Sequence, residues 1–219
     1  MHVLIAGGSG QTGGLVIDNL VSQGHTITAL VRNPASVPNR AGLKLIQGTP
    51  VNMNDIKKAL DTPRKPDAVI ITLAHAKGAV FDNGALFLTH VTNNFVSAVR
   101  SVDTSIKIIY MSAFGVGDSF PGLNFLMRGA VKATPMATKF ADHKGAEDAL
   151  KSAADISFVV VRPAMLTNGK EDTVVSLGEK GEKASFMPSI SRASVARYMV
   201  DIAQNNKWDG KATVIANGK

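Results

Sequence analysis

Gly7, Gly10 and Gly13 stand three residues apart, directly after the apolar run Val3-Leu4-Ile5-Ala6 and before apolar positions Leu15, Val16 and Leu20 at helical spacing. In a strand-turn-helix context each glycine has its own task. Gly7 allows the tight turn, Gly10 lets backbone approach a pyrophosphate, and Gly13 permits close packing of helix on strand. The helix amino terminus, at Gln11 and Thr12, then offers free N–H groups and a positive dipole end, to which the hydroxyls of Ser9 and Thr12 can add. About 20 residues beyond such a turn an NAD site places a carboxylate for the ribose 2′-hydroxyl. Here the second strand ends Ala29-Leu30-Val31-Arg32-Asn33 instead. A guanidinium in the position of Arg32 suits a 2′-phosphate. The pattern is that of a dinucleotide site with NADP(H) as the expected occupant, and Arg40 is a second candidate for the phosphate.

Other residues could act on a substrate. Ser112 ends a strand, where a hydroxyl can stabilise charge developing on a substrate oxygen; it could equally cap the turn Ala113-Phe114-Gly115. His143 titrates near neutrality and is a candidate acid, or else a histidine on a solvated helix face. Ser112 and His143 are the expected catalytic pair. Lys144 lies at helical spacing from Glu147 and Asp148, which predicts a salt bridge. His75, after the fourth strand, is a candidate for lining the pocket. His2, His25 and His90 share no ligand spacing and cysteine is absent, so no metal site is expected.

The elements that must position these residues alternate. Apolar strands are predicted at 3–6, 26–31, 43–46, 68–73, 106–111, 157–161 and 213–215, with helices near 54–60, 85–101, 141–153 and 193–204 in addition to the one that follows the glycines. Continuous apolar strands between helices predict an α/β fold, a doubly wound and mainly parallel sheet of Rossmann type with helices on both faces. A single domain is expected over 1–219. Its least regular stretch, 168–188, is predicted to fold over the strand ends as a small substrate-covering lid.

Composition narrows the function. The 219 residues carry 45% hydrophobic and 19% charged side chains, which is ordinary for a globular chain. The formal net charge of +7 is scattered, with pairs such as Lys57-Lys58 and Arg64-Lys65, and aromatic residues make up only 5%. Nucleic-acid binding is therefore not expected; attraction of anionic small molecules is the simpler use of the charge. With no cysteine, no apolar run long enough for a membrane and no expected leader, a cytoplasmic monomer acting on a small-molecule substrate is predicted.

With these motifs in place, the chain resembles the atypical short-chain dehydrogenase/reductase superfamily, and within it the NmrA-like and flavin reductase (biliverdin reductase B)-like group. The stretches that carry the resemblance are Ile5 to Gly13, Leu30-Val31-Arg32, Asp67-Ala68-Val69-Ile70, Met111-Ser112-Ala113-Phe114, Asp142-His143 and Val161-Arg162-Pro163. The resemblance implies that Gly7, Ser9, Gly10, Gln11, Thr12, Gly13 and Arg32 bind the adenosine diphosphate part. It implies that Ala74, His75, Met111 and Pro163, the last with Ala164 and Met165, border the path to the nicotinamide. Ser112 takes the place of the family's active-site serine, and His143 that of a histidine beside cofactor and substrate.

The chain departs from the superfamily at its acid-base pair: Phe140 stands where Tyr-x-x-x-Lys has its tyrosine, although Lys144 is kept. Met165 replaces a histidine of the reductase B group, and Thr49 an acidic residue after the third strand. The function implied is NADPH-dependent hydride transfer to a planar acceptor (flavin, quinone or tetrapyrrole) or to a small carbonyl compound. A non-catalytic NADP(H) sensor and a non-redox isomerase or lyase on the same fold are the alternatives.

Overall fold

The computed structural model describes residues 1–76, 84 and 86–218. In chain order the elements are β1 (His2–Ala6), α1 (Gln11–Ser22), β2 (Thr26–Val31), β3 (Leu43–Gln47), α2 (Met53–Leu60), β4 (Ala68–Ile71), α3 (Phe87–Val102), β5 (Lys107–Met111), α4 (Phe125–Ala133), α5 (Met136–Lys151), β6 (Phe158–Pro163), β7 (Met165–Thr167), β8 (Val174–Ser176), β9 (Ser189–Ser191), α6 (Arg192–Ala203) and β10 (Lys211–Asn217). Residue 85, the predicted start of the third helix, lies outside the described residues.

Eight strands form one sheet in the order β3-β2-β1-β4-β5-β6-β10-β8. All neighbours in it run parallel except β8, which pairs antiparallel with β10. This is the expected Rossmann sheet. The strand order reverses between β1 and β4, which opens a crevice at their carboxyl ends, the place where such sheets bind ligands. The central strands β1, β4, β5 and β6 are buried on both faces, and their residues alternate between two cores. Val3 and Ile5 face one way, onto Val16, Ile17 and Leu20 of α1 and Val195 and Met199 of α6. Leu4 and Ala6 face the other, onto Ile56 of α2, Val91 and Phe95 of α3 and Ala146 and Leu150 of α5.

The structure corrects the predicted elements between 112 and 191. The stretch before the fourth predicted helix holds α4, started by Asn124, whose side chain accepts from the Met127 N–H at 2.9 Å. The following helix begins at Met136 rather than near 141. Within 168–188, Val174–Ser176 joins the edge of the main sheet, and β7 and β9, which flank that stretch, pair as a separate small sheet. No helix among the described residues is long and apolar enough to cross a membrane.

Candidate functional site

The glycine-rich turn is built as its spacing requires. Gly7 has φ +98°, and a Cβ there would come within 2.7 Å of Thr72 Oγ1; a Cβ on Gly13 would meet the Gly7 carbonyl oxygen at 2.0 Å. The Gly10 N–H donates to Gly7 O at 2.9 Å, and the Gly14 N–H returns to Gly10 O at 2.8 Å. The N–H groups of Gln11, Thr12 and Gly13 thus precede the first helical bond, and Gly10 offers no side-chain cap. A polar N–H array of this kind at the end of β1 fits a pyrophosphate, and the missing Cβ atoms leave it room.

The other candidates stand along the same edge of the sheet. Arg32 follows β2 and is exposed, and no protein group among the described residues pairs with it. Arg40, the second candidate, is taken by Asp18 at 2.7 Å. Ala74 is exposed and His75 largely covered after β4; half-buried Met111 ends β5, and buried Pro163 ends β6. Ser9 and Gln11 are exposed, whereas Thr12 is buried.

One strand end and one helix turn generate the polar layer beneath this edge. Tyr110 on β5 and Ser112 just past its last residue lie two apart, a separation of about 6.6 Å in extended chain, while His143 and Glu147 lie four apart on α5, about 6 Å. The spacings match, so the pairs register: Tyr110 Oη sits 2.8 Å from His143 Nδ1, and the Ser112 hydroxyl donates to Glu147 Oε1 at 2.6 Å. Burial pushes the Tyr110 hydroxyl well above its usual range and holds His143 down at about 4, against the opposing charge of Asp142. Both are therefore neutral at physiological pH, and Tyr110 donates to Nδ1 when the ring carries its proton on Nε2.

Glu147 in turn receives Arg162 from β6, through Nε at 3.1 Å and Nη2 at 2.5 Å. The same fully buried guanidinium reaches Asp118 Oδ1 at 2.5 Å and the Glu179 carbonyl at 2.9 Å. Asp142, also buried, accepts from the Leu88 and Thr89 N–H groups at 3.0 and 2.9 Å and so caps α3 from a neighbouring helix. Its Oδ2 lies 2.6 Å from His75 Nδ1. Gly145 makes this approach of α5 to α3 feasible, since a Cβ there would fall 2.2 Å from Thr89 Oγ1.

These contacts revise three expectations. The Ser112 proton is directed at Glu147 rather than into the crevice. His75 is tied to Asp142, and His143 faces Tyr110 instead of solvent. Lys144 makes the expected salt bridge, with Asp148 at 2.5 Å.

Beside Pro163, at the ends of β5 and β6, lies an apolar cavity of about 260 Å³. Ala113, Phe114, Leu123, Met127, Phe140 and Met165 are among its walls, and Ser185 to Pro188 close one side. Neither Ser112 nor His143 lines it. Phe140 contributes a ring wall where the superfamily pattern has a phenolic acid. Among the described residues no cluster of three or more histidine, aspartate or glutamate side chains could hold a metal ion.

A family model described as NAD(P)H-binding matches residues 7–206. The chain belongs to the NAD(P)H-binding family. The match spans the glycine turn, the crevice and the cavity alike. Among solved structures, the oxidoreductase ylbE from Lactococcus lactis superposes with a TM-score of 0.78 at 16% identity, over 100% of this chain and 92% of that one. ChuY, an anaerobillin reductase from Escherichia coli O157:H7, gives a TM-score of 0.78 at 15% identity, over 100% and 98%. A Rossmann-fold NAD(P)-binding family protein from Shigella flexneri gives 0.67 at 23%, over 100% and 96%. At these identities the likeness is one of fold. Comparison with curated proteins returns no match.

Several residues of this candidate site escaped the sequence reading. Thr72 shapes the turn from β4, with its hydroxyl 3.3 Å from the Ala6 carbonyl oxygen. Glu147, Asp142 and Tyr110 form the layer below. A signal was present for the last group, in the matched i,i+2 and i,i+4 spacings of β5 and α5. For Thr72 there was none beyond its place at the end of an apolar strand.

Proposed function

We propose that the chain is an NADPH-dependent reductase that delivers hydride to a planar organic acceptor, such as a flavin, quinone or tetrapyrrole, or to a small carbonyl compound. The observation that carries this is the apolar cavity at Pro163, on the same sheet edge as the glycine turn. Gly7, Gly10, Gly13 and the amino terminus of α1 would hold the pyrophosphate, and the unpaired Arg32 the 2′-phosphate. When bound, the reduced nicotinamide supplies a hydride, which with one proton from water completes a two-electron reduction of the acceptor and leaves NADP⁺.

The protein's own contribution is to bind, orient and exclude. Phe114 and Phe140 offer flat walls to a ring, and Ser185 to Pro188 cover it. Ser112 and His143 act from below: through Glu147 the first steadies Arg162 and the β6 end, and the second rests on Tyr110. Among the described residues no ionisable side chain lines the cavity, and in this reading water supplies the proton.

The test is NADPH oxidation, followed at 340 nm, across a panel of flavins, quinones, tetrapyrroles and aromatic aldehydes. Steady turnover with at least one acceptor is expected. That same lack of a proton donor also suits a non-catalytic NADP(H) sensor; tight NADPH binding with no turnover across the panel would establish that alternative. Failure to bind either dinucleotide would overturn both.

A further inference from the structure

The cavity wall is uniform in a way that discriminates among acceptors. Among the described residues that line it, none carries a charged side chain. Of the two polar side chains, Asn124 is held to the wall, its amide donating to the Phe186 carbonyl and its oxygen accepting from the Met127 N–H. The Ser185 hydroxyl is the other. Arg128, next to Met127 of the wall, donates to the Leu123 and Pro121 carbonyls, both at 2.7 Å, which ties it to the backbone. Lys132 lies over the Phe120 ring, 5.9 Å from its centre. An anionic group entering this space would lose its hydration and meet no charged side chain among the described residues of the wall.

Size acts in the same direction. A volume of about 260 Å³ falls below the common range of small-molecule sites, about 300–1,000 Å³. It suits one or two fused rings, and an open-chain tetrapyrrole exceeds it. Outside, the apolar lining continues onto the surface. Met165, Phe186 and Met187 belong to the wall and are also 53%, 57% and 53% exposed. Phe125, 73% exposed, places its ring centre 6.4 Å from that of Phe186. Large apolar side chains grouped at the mouth of a cavity mark a binding surface.

Resting on the reductase function above, we propose that the acceptor is an uncharged molecule of one or two rings carrying a hydrocarbon substituent, the ring in the cavity and the substituent along Met165, Met187, Phe186 and Phe125. Acceptors bearing phosphate or carboxylate are disfavoured. A quinone so placed takes one hydride and one proton from water, and its two carbonyls become the two hydroxyls of a hydroquinone.

The experiment compares 2-methyl-1,4-naphthoquinone, its 3-alkyl homologues, a naphthoquinone sulfonate and flavin mononucleotide, with the full chain and saturating NADPH. KM is expected to fall roughly two- to fourfold per added methylene until the rim is covered. The sulfonate and the flavin nucleotide should show kcat/KM at least tenfold lower than the neutral parent. Phe186→Glu and Met187→Glu should raise KM for the alkylated quinones tenfold or more, leaving KM for NADPH and the melting temperature unchanged.

Titration calorimetry with the NADP⁺-loaded protein reads the same preference without turnover. Equal or better use of the sulfonate or flavin nucleotide, or no dependence on chain length in both assays, would overturn the proposal. Calorimetric preference for the neutral alkyl quinones with no NADPH consumption would instead refute the reductase function while upholding the ligand class.

Discussion

Arg32 shows how much one side chain can decide. The glycine turn accepts the diphosphate of NADH and NADPH alike, because its N–H groups see only the pyrophosphate they share. Discrimination must come from the far ribose, and the exposed end of β2 offers a guanidinium there with no protein partner among the described residues. Hydrogen bonds to charged groups contribute about 1.5–3 kcal/mol. Arg32→Ala should therefore weaken NADPH roughly ten- to a hundredfold and leave NADH within twofold, measured by equilibrium titration of each. An equal loss for both coenzymes would remove Arg32 from the phosphate. At this scale the sequence was legible wherever a residue's task is set by its chain neighbours, as for Gly7 and Gly13. It was illegible for Ser112 and His143, whose hydrogen bonds depend on Glu147 and Tyr110, 35 and 33 residues away.

At the scale of elements, the central strands β1, β4, β5 and β6 were readable because burial on both faces leaves a near-continuous apolar run. The strand β8 was not, since three residues at a sheet edge carry no such run, and α4 was hidden by Gly129 and the nearby Pro135. The layer beneath the crevice depends on α5 and β6 being pinned together by Glu147 and Arg162, both almost wholly buried. A buried pair of this kind is costly to halve, because one charge is left without its partner; removing one member typically costs about 3–5 kcal/mol. Glu147→Leu should lower stability by about 3 kcal/mol in urea titrations, the lower end of that range, because Arg162 keeps Asp118. The double change Glu147→Leu with Arg162→Met should recover most of it, since no charge is then stranded in the core. If the double variant is no more stable than the single one, the hydrogen bonds to Ser112 and Glu179, and not the charge pair, hold the strand end.

Across the whole molecule, the neutral His143 makes stability depend on pH in a defined window. Burial depresses its pKa from 6.5 to about 4 in the folded chain. The unfolded state consequently takes up a proton as pH falls through 6.5, while the folded state does so only near 4. Between those values protonation favours unfolding, so the stabilisation is complete above pH 6.5 and is lost progressively toward pH 4. The size is up to about 3 kcal/mol, from about 1.4 kcal/mol per pKa unit. For a domain of this length that is roughly 5 to 10 °C in melting temperature. Carboxylates add their own acid sensitivity lower down, and a substitution separates the two: His143→Gln keeps a polar partner for Tyr110 but cannot be charged. Its melting temperature should decline less than that of the parent chain between pH 7 and 5, with the two curves running parallel above pH 7. Identical profiles across that window would mean that His143 meets water in the folded protein, and that the polar layer under the crevice is wet instead of sealed by α5.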